Sequence, residues 1–322
     1  MPRFVILLLL AGVAPGAQAG EKAGAWTEVS SPHFVAISDG GEPMARKAAT
    51  EFETVRAAFG QRVGKMRLDA EAPTIIFALK SESSMKKLLP AFWAKRGGMR
   101  PGGAFFHARR EASGRMEEKT YAVVRMDLDE YSRHTAFHEY VHELTRLNYK
   151  RPLPAWLNEG IAEFYGNCEA SGLDVTVGRA DPDTGFYLRR HAMIPLPELL
   201  GPDAMAKAYA NAIYAQTFYN QSWLLTHYII FGKGMGSGER LNQYVDLIES
   251  GDDPMEGFVR IFGDLRTVQN ELFAYLEQKS LPAFKIRLPA SFAQMQFASR
   301  PLSPEEAGAT LAEFHRVVTP KE

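Results

Sequence analysis

One cysteine is all that this 322-residue chain carries. A lone Cys168 cannot close an internal disulfide, so the fold is not stapled. It reads as a small buried apolar residue rather than a reactive thiol. Blocks of like charge are missing too: 37 Lys and Arg stand against 38 Asp and Glu, a formal net charge of -1. That balance points away from nucleic acid or an anionic membrane surface as partners. Long apolar runs are also absent. Phe4 to Val13 is too short to span a bilayer comfortably, and no other stretch could cross one. Its surroundings give it another meaning. Arg3 precedes it and Ala17-Gln18-Ala19 follows, the A-x-A form of a signal-peptidase site. Residues 1–19 therefore read as a secretory signal, which makes the protein periplasmic or secreted, with no membrane span after cleavage. No cysteine near the cleavage site offers a lipid anchor.

What is present is ordinary globular material, 46% hydrophobic and 23% charged. Residues 26–39 (WTEVSSPHFVAISD) read as a strand or hairpin, and Pro43 to Phe59 as a helix ended by Gly60. Pro73 to Leu79 is a buried-type strand, and Ser81 caps a helix running to about Leu89. A loop over 96–103 follows, then strands over Ala104 to His107 and Tyr121 to Asp127, separated by a charged, mobile connection from Arg109 to Lys119. From Ser132 the texture turns helical: 132–148, 154–167, a long apolar pattern over 204–231, then 238–250, 254–262 and 266–279. The expected fold class is α+β, a strand-rich half (20–131) with a mixed sheet before a helical half (132–282). The tail, 283–322, holds one capped helix. It either begins a helical repeat or docks back on the domain.

The chemistry concentrates in HEYVH, residues 138–142. Residues four apart share a helix face, so His138 and His142 can aim at one ion. Catalytic zinc needs a third protein ligand and an open position, with an acid beside it to act as general base; Glu139 stands next to His138. After the short connector KRPLP comes WLNEGIAEFY, where Glu159 and Glu163 are again four apart. Folding that helix back lets Glu159 complete a His-His-Glu set. Glu163, one turn on, can hydrogen-bond the far nitrogen of a ligating histidine. Such a set favours zinc over magnesium or calcium.

HEYVH followed by NEGIAE resembles the gluzincin metallopeptidases, the class of thermolysin and the aminopeptidase N group. The likeness is nearest to the peptidase MA-like domains of exported bacterial proteins, whose WL-x-EG-x-AE-[FY] signature matches Trp156 to Tyr165. It covers about residues 26–232 and is specific between 134 and 166. The resemblance implies Zn2+ on His138, His142 and Glu159, a base role for Glu139, an outer supporting role for Glu163, and a zinc cleft between the two halves. It implies a peptide or protein substrate. FYNQSWLLTHYII, 218–230, is similar to the helix that follows the zinc site in these enzymes, and puts the oxyanion-binding tyrosine at Tyr219, with Tyr214 as the alternative. The G-x-M-E-N segment by which aminopeptidases hold a free amine has no counterpart. The nearest stretch, PGGAFF at 101–106, lacks the acid, so an endopeptidase is favoured over an aminopeptidase. Its substrate backbone would lie on an exposed strand edge, from Ala104 to His107 or from Tyr121 to Asp127.

Two other functions share these ligands: a zinc-binding envelope or assembly module that does not cleave, and a zinc hydrolase of a non-peptide amide. Remaining features read as structural. His134, one turn before His138 on the same face, could point toward the cleft, but a surface or helix-start role suits it better. His33, His107, His191, His227 and His315 lack ligand spacing. Asp127, Asp129 and Glu130 keep a loop solvated, GRADPDTG at 178–185 is a turn before it is a calcium site, and GKGMGSG at 232–238 is a helix connector.

Overall fold

The computed structural model describes residues 26–63, 66–70, 72–94, 102–112, 115–128, 130–236 and 238–318. The expected signal, Asp129 and most of the expected 96–103 loop lie outside them. The molecule is α+β, with a mixed six-stranded sheet in its first half and mostly helices in its second.

Two strands, β1 (Thr27–Ser30) and β2 (Phe34–Ser38), form the expected hairpin. Helix α1 (Glu42–Val63) then crosses over to β3 (Thr74–Leu79), which lies parallel to β2. Ser81 caps α2 (Glu82–Leu88) by accepting from the Ser84 amide, and a single turn, α3 (Ala91–Ala94), follows. Strands β4 (Gly103–Ala112) and β5 (Arg115–Arg125) pair antiparallel, from Gly103 against Val124 to Ala112 against Arg115. This corrects the expected connection over 109–119, of which 109–112 and 115–119 continue the two strands. A two-stranded ladder runs on backbone pairing, and so a charged stretch carries no apolar alternation to betray it. Strand β5 also lies parallel to β3. The sheet order is β4-β5-β3-β2-β1, with a sixth strand, β9, added beyond β1. Since β5 is flanked on both sides, only β4 of the two candidates for an exposed edge stands at the sheet's margin.

Both faces of this sheet are covered, which explains why TIIFAL is apolar on both faces after Thr74. Ile76 and Ala78 join one cluster, with Val29, Ala36, Ala122 and the apolar face of α1. Phe77 and Leu79, on the opposite face, join another with Tyr121, Val123 and Phe314.

Helix α4 (Glu130–Asn148) lies against the first face through Phe137, Tyr140, Val141 and Leu144, and α5 (Ala155–Gly166) folds back on it. A small second sheet, β6 (Cys168–Ser171), β7 (Asp174–Val177) and later β8, was not expected; its strands are four residues each and leave little periodicity. In the GRADPDTG stretch Asp181 caps α6 (Pro182–Arg190) by accepting from the Asp183 amide, with proline in the first turn, so the carboxylate serves a helix rather than calcium. After α7 (Leu196–Leu199), the pattern over 204–231 divides into α8 (Ala204–Ala210) and α9 (Ala212–Phe231). Asn211 breaks it: its backbone is extended and its side chain accepts from the Ile213 and Tyr214 amides. Helices α10 (Glu239–Ser250), α11 (Pro254–Phe262) and α12 (Leu265–Leu276) complete the helical half close to the expected bounds.

The tail docks back. Strand β8 (Phe284–Arg287) pairs with β7, and a turn, α13 (Ala290–Ala293), leads to β9 (Ala298–Pro301), antiparallel to β1. Helix α14 (Pro304–Val318) then brings the fully buried Phe314 ring against Phe77, Phe106 and Tyr121.

Candidate metal centre

Helix α4 has two faces with separate tasks. One packs on the sheet; the other presents His134, His138 and His142, each one turn apart, toward α5. The connector that turns the chain is held by Glu249 of α10, whose carboxylate accepts from the backbone amides of Lys150 and Arg151 at 3.1 and 3.0 Å. Across the helix pair, the Thr145 hydroxyl donates to Asn158 at 3.1 Å. Helix α5 in turn is squeezed against α9. Gly160, directly after Glu159, is where they touch: a Cβ there would lie 2.5 Å from the Ser222 carbonyl oxygen.

This packing converges three lone-pair atoms. His138 Nε2 and His142 Nε2 are 3.0 Å apart, and Glu159 Oε2 is 3.2 Å from the first and 3.3 Å from the second. Four ligands placed tetrahedrally at zinc's usual distances are about 3.3 Å from one another, so the triangle has the size of one tetrahedral face. His138 and Glu159 are buried, and His142 is half-buried. Glu159 Oε2 has no hydrogen-bond partner among the described residues, an orphaned carboxylate oxygen that a cation would satisfy. The group could hold a metal ion.

The charges of the group are strongly coupled. Burial disfavours a charged His138, but Glu159 and Glu163 outweigh it and hold the imidazole protonated well above its ordinary range. Burial likewise pushes Glu159 up, and the two histidine rings at ion-pair distance from it, His138 and His142, more than reverse this, to about 2. Glu163 is pulled below the usual carboxylate range against its own burial, by His134 and His138. Its Oε1 is 3.1 Å from His138 Nδ1, an ion-pair distance off the line of the ring N–H. Its Oε2 accepts from His134 Nε2 at 3.1 Å. His134 is thus half-buried and tied in place, at the end of a chain that runs through Glu163 to His138. The sequence signal for it was its one-turn offset from His138.

Glu139 is half-buried beside the triad; burial raises its pKa, and the two histidines partly offset this. Tyr219 of α9 sets its ring edge-to-face against His138, with centroids 6.2 Å apart. Burial, then the Glu159 carboxylate, raises its phenol, so the hydroxyl stays a donor. Tyr214 faces elsewhere. Burial and then Glu198 push it to about 12, and no contact links it to the triad among the described residues.

His134 and Glu163 also border a cavity of about 360 Å³ whose wall includes Cys168, Asp181, Thr184 and Asn220. Cys168 is half-buried there, not enclosed in core as expected. His227 lies far along α9 in the core, fully buried, with Nε2 donating to the Gly178 and Pro282 carbonyls and Nδ1 accepting from Tyr275.

No protein-family model matches the chain, and no curated protein matches it.

Proposed function

We propose that this chain is a zinc-dependent metallopeptidase of gluzincin type, exported, acting as an endopeptidase on peptide or protein substrates. The observation that carries the reading is the triangle of His138, His142 and Glu159, with Glu139 beside it and Tyr219 against His138. Two imidazoles and one carboxylate at these separations suit zinc better than magnesium or calcium, which prefer all-oxygen sites. Zinc held there supplies Lewis-acid catalysis and a nucleophile at neutral pH.

The protein's own groups do the rest. Glu139 takes the proton from the attacking water and hands it to the leaving amine. The Tyr219 phenol donates to the carbonyl oxygen as negative charge builds on it. Glu163 keeps the His138 ring oriented. Strand β4, at the sheet margin, offers its outer edge to the substrate backbone. It begins next to α4: a Cβ on Gly103 would lie 3.0 Å from Thr135 Cγ2. The signal-like N-terminus supports export. No helix among the described residues is long and apolar enough to cross a membrane.

Casein cleavage tests the reading. The expected signal is abolished by a chelator, restored by zinc, and lost in Glu139→Gln with zinc still bound. Zinc binding without cleavage of any peptide would reassign the chain to a non-cleaving module or to a hydrolase of a non-peptide amide.

A further inference from the structure

Glu163 is a half-buried carboxylate with two oxygens and two histidine partners. One oxygen faces His138 Nδ1; the other accepts from His134 Nε2, both at 3.1 Å. The rings of His134 and His138 sit one helical turn apart, with centroids separated by 6.1 Å. Space for His134 is provided by Gly166, at the end of α5. A Cβ there would stand 3.0 Å from His134 Nε2 and 3.3 Å from its backbone oxygen. Both His134 and Glu163 border the cavity of about 360 Å³, so water can compete for the carboxylate from that side.

We propose that His134 is a positioning residue of the metal centre. Held only by the ion-pair contact with His138, the Glu163 carboxylate could swing about its terminal torsion toward the cavity, a broad two-fold rotation with little intrinsic resistance. With His134 on the second oxygen, that rotation is locked. Glu163 then stays against His138 Nδ1, and His138 keeps Nε2 turned toward His142 and Glu159. The proton on His134 Nε2 is assigned from this network, since a carboxylate can only accept. Nothing in HEYVH or NEGIAE encodes this residue. This inference rests on the metal-centre reading above.

The test compares wild type, His134→Ala and His134→Gln, whose amide can still donate to Glu163. The first readout is zinc affinity, measured by competition with a chromophoric chelator. Direct outer partners of metal-ligating histidines are worth about 10–100-fold in affinity, so a residue one bond further out should lose about tenfold in His134→Ala and about twofold or less in His134→Gln. The second readout needs no metal: the low-field Nδ1–H resonance of His138 in ¹⁵N-imidazole NMR of the metal-free protein. It should persist in wild type and His134→Gln and broaden into exchange in His134→Ala. Unchanged zinc affinity in His134→Ala, or equal losses in both variants, would overturn the proposal. If wild type binds no zinc, the peptidase reading falls. The NMR signal then decides positioning alone, and its survival in His134→Ala overturns it.

Discussion

Replacing Gly160 by alanine sets two effects of opposite sign against each other. Alanine in a helix interior is favoured over glycine by about 1 kcal/mol, so α5 by itself predicts stabilisation. The crossing with α9 predicts the reverse. The added Cβ would lie 2.1 Å from Thr226 Oγ1 and 2.5 Å from the Ser222 carbonyl oxygen. The hydroxyl can be removed, but the carbonyl belongs to a helix backbone. Reaching ordinary contact means moving two helices apart by about 1 Å, and overpacking of this kind costs about 1–3 kcal/mol, sometimes more. With a backbone carbonyl as the obstacle the cost falls at the upper end of that range, about 2–3 kcal/mol, so the net expectation is destabilisation by about 1–2 kcal/mol, and in a chain of this size a drop of a few degrees in Tm. Thr226→Ala in the same chain should recover only part of it. The same displacement separates Glu159 on α5 from Tyr219 on α9, so under the proposed function turnover should fall more than metal content does. Thermal unfolding by circular dichroism, beside metal analysis, reads both. A Gly160→Ala protein that melts at or above wild type would refute the close crossing.

Two more outcomes follow from the core. Burial holds His227 neutral, lowering its pKa from 6.5 to about 4. The unfolded chain therefore binds the extra proton between those values. Stability from this group is complete above pH 6.5 and lost as pH falls toward 4, by about 3 kcal/mol in all. Urea melts at pH 7 and pH 5 should show a smaller pH slope in His227→Gln than in wild type; equal slopes would contradict the assignment. Phe314→Ala removes a fully buried ring from the outer face of the sheet and should cost about 3–5 kcal/mol. It should also open the tail to limited proteolysis, whereas an independent tail would be cut equally in both proteins.

The helices that carry the site were legible because their signals are local. HEYVH and NEGIAE place their side chains by the 3.6-residue repeat alone, and the two prolines of the connector make the return of α5 readable. What escaped depends on contacts distant in sequence. Strand β9 pairs with β1 from the other end of the chain, and its four residues are all exposed, so no apolar pattern marks it. The extension of β4 through 109–112 and of β5 over 115–119 hid behind charge. The helical pattern over 204–231 hid the break at Asn211, which a capping asparagine could have revealed. His134 was visible at its i−4 position. Its role was not, because that requires Glu163 and Gly166 to arrive from the next helix.

The central claim is that His138, His142 and Glu159 hold zinc. Metal content by mass spectrometry on the purified protein, wild type beside His142→Ala, tests it most directly. About one zinc per chain is expected in wild type and none in the variant. No zinc in wild type, even after reconstitution, would contradict it.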